Sequence, residues 1–386
     1  MKRLISILAA LSLCLCLAVP AVAANEKCPA DAQSAGLKCK RDGTFKIIHI
    51  TDTQDFILSC AVTQEFLYGL AKTEKPDLFV LTGDNVGTGG AKALPKFLSK
   101  LLVRLSVANL MRAFDRIYRD FGIPMTMVFG NHDNEAGPDK VTRAEQFAMY
   151  EKHKCFIGYY IPEADEGTED EQGQHYGTHN LIIKNSAGTA SAFNLWMFDS
   201  GSYDPADGYS CVQQPQIDWF NRTNTELNLP SIAFQHIIVR DILDFAPGNV
   251  LPSGTVGEIR ENPCPGRDNQ GQYTALSGGG VMALFVGHDH VNTFELVLPG
   301  TDLINSPCTG FGSYGNLDQR GARVITLRES TPNAYESELV TFRDFFPQNA
   351  LRSTRLEMYQ KMSTPATLLD WISFAPLLWV LGLFGI

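Results

Sequence analysis

Five apolar runs in this chain stop at the same kind of residue, and that repetition limits the folds it can adopt. Residues 45–50 run into Thr51-Asp52-Thr53-Gln54-Asp55, and residues 77–82 into Gly83-Asp84-Asn85. Residues 125–129 deliver Gly130-Asn131-His132-Asp133, and residues 281–286 deliver Gly287-His288-Asp289-His290. A fifth run, 231–235, ends at His236. Short apolar runs bounded by turn residues read as buried strands. Successive side chains on a strand alternate faces, so His288 and His290 leave theirs on one side.

Between the first three runs lie helical patterns. Val62, Phe66, Leu67 and Leu70 recur at helical spacing before Pro76, and a second helical region runs through Asp120 after a glycine-rich loop at 86–91. Strand–helix–strand–helix–strand order implies a largely parallel sheet, in which ligands bind where the strands finish. Further on, 163–174 is acidic and glycine-bearing and reads as a solvated loop. Residues 180–184 and 193–198 alternate as strands, and 214–227 reads as a helix with Ile217, Phe220 and Leu227 inward. Residues 249–272 are rich in Gly and Pro and read as a long rim or lid. Residues 293–298, 303–304 and 322–327 read as antiparallel-type strands.

With 386 residues and 44% hydrophobic content the chain can bury a full core. Residues 1–23 carry Lys2-Arg3, an apolar stretch and Ala21-Val22-Ala23, the pattern of a cleaved secretory signal peptide. Residues 24–345 read as one domain, and 346–386 as a tail. The tail's uncharged end, 371–386, is short for a membrane span of about twenty residues. It reads as a membrane-associating segment or a removable lipid-anchor signal, with packing on the body as the alternative. The formal charge of −10 deepens once the basic signal leaves, and no basic run is present, which argues against nucleic acid as a partner.

Cys28, Cys39, Cys60, Cys155, Cys211, Cys264 and Cys308 remain after the signal, with no C-x-x-C spacing. In an oxidising compartment they imply up to three disulfides and one leftover thiol. Asn221-Arg222-Thr223 is a glycosylation sequon.

Carboxylate, imidazole and side-chain amide donors together suit a borderline metal ion rather than an all-oxygen calcium cage. In this order, the five strand-end motifs resemble those of the calcineurin-like metallophosphoesterases over roughly residues 45–330. LTGDNVG, FGNHDNE, FVGHDHVNTF and CTGFGSYG followed by ARVITL are similar to the Dcr2-like branch related to purple acid phosphatases. The resemblance implies an α/β fold, a four-layer α-β-β-α sandwich of two mixed sheets. It implies two divalent or mixed-valence metal ions (Fe, Zn or Mn) bridged by Asp84. Asp52, Asp84 and His290 would hold the first, and Asp84, Asn131, His236 and His288 the second. His132 would be the proton donor or phosphate contact, oriented by Asp133.

The implied activity is hydrolysis of phosphate esters, monoesters before diesters, by a metal-bridging hydroxide. The implied substrate is a phosphorylated small molecule or phosphoprotein. Gly87 stands three residues after Asp84, so no tyrosinate ligand and no purple colour are expected there.

One position departs from the family pattern. The first motif of the family is Asp-x-His, whereas this chain has Asp52-Thr53-Gln54. A neutral amide oxygen is a weaker ligand than imidazole for zinc or iron and more acceptable to manganese. The alternative reading is therefore a binding protein that keeps the fold and has lost the first metal. His49, His153, His175 and His179 read as structural histidines.

Overall fold

The computed structural model describes residues 36–55, 60–346 and 350–363. The signal stretch 1–23, Cys28 and the apolar end 371–386 lie outside the described residues. β1 (Thr44–Ile50), β2 (Leu78–Thr82) and β3 (Met125–Val128) are joined by α1 (Cys60–Glu74) and α2 (Lys96–Phe121), and α3 (Arg143–Tyr150) follows. β4 (His179–Lys184) and β5 (Ser191–Met197) lead through α4 (Gln214–Leu227) to β6 (Ser231–Phe234), then through α5 (Gln272–Gly278) to β7 (Val281–Val286). β8 (Glu295–Leu296), β9 (Asp302–Asn305), β10 (Gly321–Arg328) and β11 (Tyr335–Thr341) close the sheets, and α6 (Ala350–Met362) comes last.

The helix ends have local causes. Thr142 and Glu145 form a reciprocal capping box that starts α3. Gly122, at φ 72°, takes the left-handed conformation that stops α2.

The strands form two mixed sheets, ordered β11-β10-β1-β2-β3 and β4-β5-β6-β7-β9-β8. β1, β2 and β3 run parallel, with β10 antiparallel to β1. β5, β6, β7 and β9 run parallel, and β4 and β8 are antiparallel at the two edges. The segment around Leu303-Ile304, expected to be antiparallel, therefore pairs parallel to β7. A crossover through 287–301 carries the chain around to that edge.

Alternation along the strands sets the layers. Phe45 and Ile47 of β1 meet Phe234, Phe285 and Ile304 of the other sheet in a core between the sheets. Ile48 and Ile50 point the other way, onto the buried faces of α1 and α2. On the far side, Trp196, Ala233 and Leu284 pack against Trp219 and Phe220 of α4. The result is helix, sheet, sheet, helix. Each fully buried large apolar side chain contributes roughly 1.5–3 kcal/mol, and three such cores hold the strand ends in register. Leu356 and Tyr359 of α6 are buried in the first helix-side core, so this part of the tail packs on the body.

Two further expectations change. The 163–174 loop is solvated along one side only: Glu163, Glu166, Glu169, Glu171 and Gln174 are exposed, whereas Ala164, Asp165, Thr168, Asp170 and Gln172 are buried. The buried Arg143 guanidinium donates to Asp170 at 2.6 Å, and Asp165 accepts the Gly177 and Thr178 amides, so the carboxylates are satisfied inside. Cys39, Cys155, Cys211, Cys264 and Cys308 are free thiols. Cys39 lies between the sheets, Cys155 in the helix-side core and Cys308 against Arg320, so their distribution precludes pairing among these three. No described helix is long and apolar enough to cross a membrane.

Candidate metal centre

The carboxyl ends of β1, β2, β3, β6 and β7 open onto one edge of the sandwich, and the turns that follow are tight. Asp52, Gln54, Asp84 and His288 adopt positive φ, at 52°, 37°, 49° and 69°. Left-handed non-glycine residues cost on the order of 1–3 kcal/mol each and persist where the surroundings force them. The forcing is visible in cross-links between turns. Asp52 N donates to Gly83 O at 3.1 Å, Gln54 N to Asp84 O at 3.0 Å, and Gly287 N to His236 O at 3.1 Å. Glycines make these approaches possible. A Cβ on Gly287 would collide with Thr51 Oγ1 and Asp52 Oδ2, and one on Gly130 with the Asp84 amide and carboxylate.

Asp52, Asp84 and His290 place one ligand atom each within 4.8 Å of one another, all three buried. His290 Nε2 lies 3.2 Å from Asp52 Oδ1, an oxygen with no hydrogen-bond partner. The ring's other nitrogen, Nδ1, is held by Tyr314 O at 2.8 Å. Asp52 Oδ2 accepts from Thr51 Oγ1 and from the His288 amide. Asp84 Oδ1 accepts the His132 amide at 2.8 Å and faces His236 Nε2 at 3.5 Å. His236 Nε2 also faces Asn131 Oδ1 at 3.1 Å, while its Nδ1 bonds Thr82 O at 2.7 Å. The His288 ring stands edge-on to His236 with centroids 5.0 Å apart.

Charge makes the same point as distance. The ion pairs of Asp52 and Asp84 among the described residues are all with histidines. Burial works against the Asp84 carboxylate, yet His236 and His132 hold it far below the usual range. Burial would likewise lower His236, but Asp84 and Asp52 push it up to about 9. His288, by contrast, is driven down to about 3 by burial and by His236, and is neutral. Histidines act as ligands only when neutral. With His236, His288 and His290 neutral, two buried carboxylates face one another with only His132, 3.9 Å from Asp84 Oδ2, to offset them, a costly arrangement unless an ion supplies the remaining charge. The donor set, the orphaned Asp52 Oδ1 and this charge deficit all fit a metal ion.

The sequence-predicted residues converge, with two changes of role. Gln54 is buried and its Nε2 donates to Asp84 Oδ2 at 2.6 Å. In this arrangement it is a hydrogen-bond donor to the Asp84 carboxylate. The first-metal trio is nonetheless the one that closes tightly without it. Asp133 does not orient His132: its oxygens accept the Gly130, Val86 and Asn85 N–H groups at 2.8, 2.9 and 3.3 Å, which pins the loop. Glu135 Oε1 instead lies 2.8 Å from His132 Nδ1. His132 is the exposed member of the group; burial lowers it, but Asp84 and Glu135 push it up to about 9.

Sequence reasoning missed Glu135 and three tyrosines. Tyr203 bonds Asn131 and Glu135, Tyr209 sits edge-on to His288 at 4.3 Å, and Tyr314 stacks on His290 at 4.2 Å. Glu135 and Tyr314 had a signal, since they lie within FGNHDNE and CTGFGSYG; Tyr203 and Tyr209 had none. The 249–272 segment is strapped along the GHDH turn as a rim, with Cys264 N on Asp289 Oδ1 and Asn292 Oδ1 capping Arg260 N and Glu261 N. The histidines read as structural are so. His49 bonds Thr82 Oγ1 and Ser306 Oγ between the sheets, and His179 bonds Thr126 Oγ1.

The family model described as calcineurin-like phosphoesterase matches residues 45–292. Probable inactive purple acid phosphatase 29 of Arabidopsis thaliana is 28% identical over 78% of this chain and 80% of its own length. Phosphatase DCR2 of Saccharomyces cerevisiae is 23% identical over 69% of this chain and 48% of its own. Among solved structures, a dimetal phosphatase from Danio rerio aligns over 77% of this chain and 99% of its own, at 10% identity and a TM-score of 0.44.

Proposed function

The chain belongs to the calcineurin-like phosphoesterase family, and from that premise we propose that it is a metal-dependent phosphohydrolase of the secretory pathway. Its substrates are phosphate esters on small molecules or phosphoproteins, with monoesters favoured over diesters. The observation that carries the reading is the buried Asp52, Asp84 and His290 group, three donors within 4.8 Å and no Lys or Arg paired to them among the described residues. Asp52, Asp84 and His290 would hold one ion, and Asp84, Asn131, His236 and His288 a second. Bound there, two ions supply Lewis-acid stabilisation of phosphate oxygens and a water nucleophile at neutral pH.

The chain's own contribution is proton placement and positioning. His132 is half-exposed, holds its Nδ1 on Glu135 and turns Nε2 toward the centre, 3.9 Å from Asp84 Oδ2. That is where a leaving alkoxide or phenolate needs a proton. Tyr203, Tyr209 and Tyr314 line the mouth with ring faces and edges, a surface that suits a planar leaving group.

A second reading has its own support. Gln54 donates to Asp84, where an imidazole ligand would leave that oxygen free for a cation. Relatives in Arabidopsis thaliana carry the name probable inactive purple acid phosphatase. On this reading the fold binds a phosphorylated ligand without turning it over.

Elemental analysis of the purified full chain, with hydrolysis of p-nitrophenyl phosphate and its bis-ester under added manganese, zinc or iron, separates the two. The phosphohydrolase reading expects about two ions per chain and faster turnover of the monoester. One ion or none, with neither ester hydrolysed, would establish the binding-protein reading instead.

A further inference from the structure

At the proposed metal site, five side chains, His132, Glu135, Tyr203, Asn131 and His236, form a continuous line of polar contacts. Glu135 Oε1 lies 2.8 Å from His132 Nδ1 and accepts from Tyr203 Oη at 3.3 Å. Tyr203 Oη accepts in turn from Asn131 Nδ2 at 3.1 Å, and Asn131 Oδ1 faces His236 Nε2 at 3.1 Å. We infer that Glu135 and Tyr203 are one brace that positions both the proton-bearing His132 and the metal-facing oxygen of Asn131. The inference rests on the phosphohydrolase reading for the two roles it couples.

The direction of each bond follows from what the groups can do. An ionised carboxylate only accepts, so Glu135 accepts one hydrogen bond from Nδ1–H of His132 and another from the Tyr203 hydroxyl. A phenol has one proton, so Tyr203, having donated it, can only accept from Asn131. Asn131 thereby commits its NH₂ to Tyr203, and its oxygen is what remains for the cation. Likewise His132, held through Nδ1, presents Nε2. Partners of this kind fix ligand orientation as well as basicity.

Neighbouring residues support the brace from both ends. Tyr203 is stacked on Tyr209, with ring centroids 5.6 Å apart, and Tyr209 packs on His288 at 4.3 Å. At the other end, a Cβ on Gly89 would stand 2.6 Å from Glu135 Oε2. The backbone at Gly89 is not at positive φ, so the conformation does not require glycine there. What a side chain would take away is the room for Glu135. Asp133 cannot take over, since its oxygens already accept the Gly130, Val86 and Asn85 N–H groups.

The test uses the full chain and the variants Glu135→Ala, Glu135→Gln, Gly89→Ala and Tyr203→Phe. Three measurements are made. The first is the downfield proton resonance of a carboxylate-bonded imidazole, assigned by its loss in His132→Asn. The second is manganese affinity. The third is turnover of phenyl phosphate against p-nitrophenyl phosphate, whose leaving group needs a proton far less.

Glu135→Ala should abolish the resonance and lower kcat on phenyl phosphate at least tenfold more than on p-nitrophenyl phosphate, with partial rescue in Glu135→Gln. Gly89→Ala should weaken both signals at unchanged melting temperature. Tyr203→Phe should bind manganese about 10–100-fold more weakly. Retention of the resonance and the leaving-group ratio in Glu135→Ala, or wild-type manganese affinity in Tyr203→Phe, overturns the brace. If the wild-type chain hydrolyses neither ester while the resonance and manganese affinity change as expected, the brace stands and the hydrolase reading falls.

Discussion

At the scale of single residues, the position that decides most is Gln54. Its Nε2 lies 2.6 Å from Asp84 Oδ2, so a cation at that oxygen must first displace an N–H donor and then turn the amide to present Oε1. Imidazole at this position has no such competing role, because a neutral ring can offer a bare nitrogen. Gln54→His should therefore bind the first ion about tenfold or more tightly, which is about 1.4 kcal/mol, with a larger gain for zinc than for manganese. Competitive titration with a chromophoric chelator reads this directly; equal affinities in the variant and wild type would mean that the amide does not limit the site. The proposed ligands are legible in the sequence because each stands at the end of an apolar run. The contact between Glu135 and Tyr203 is not, because a hydrogen bond between residues 68 apart leaves no periodicity to read.

At the scale of elements, the loop 163–174 shows where composition misleads. Acidic and glycine-bearing, it reads as solvated throughout, yet Asp165 and Asp170 fold inward, Asp170 onto Arg143 of α3 and His175 just past the loop. Their contributions to stability run in opposite directions with pH. Burial raises the Asp170 carboxyl, but His175 and Arg143 outweigh it and hold it below the ordinary range. Its stabilisation is thus present above the unfolded value near 4 and lost in acid.

Asp165 behaves oppositely: burial and the Asp199 carboxylate push it up to about 7. Between about pH 4 and 7 the unfolded chain ionises this group and the folded chain does not, so stability falls as pH rises through that window. Asp165→Asn mimics the protonated form at all pH values. The variant should melt close to wild type at about pH 4 and above it by about pH 8, with the gap levelling off beyond; a gap independent of pH would remove Asp165 as the cause.

At the scale of the whole molecule, the two sheets divide the proposed ligands between them. Asp52, Asp84 and Asn131 follow strands of one sheet, and His236, His288 and His290 follow strands of the other. Away from that edge the sheets are already joined. Phe45, Ile47, Phe234 and Phe285 share one core, and the buried Arg323 of β10 reaches Glu295 and the Asn305 carbonyl across the interface. Metal ions at the open edge would therefore act as a staple on a sandwich that folds without them. Binding to the native state alone adds stability as RT ln(1 + [L]/Kd), about 2.7 kcal/mol at a hundredfold excess over Kd. Chelation should lower the melting temperature by a few degrees, and manganese should restore it in a concentration-dependent way. Hydrogen exchange should rise on chelation at 52–55, 83–85 and 130–132 and equally at 236–237 and 287–290, while the inter-sheet residues keep their protection. If exchange rises in the turns of only one sheet, the ion is held by that sheet alone and the shared centre is wrong.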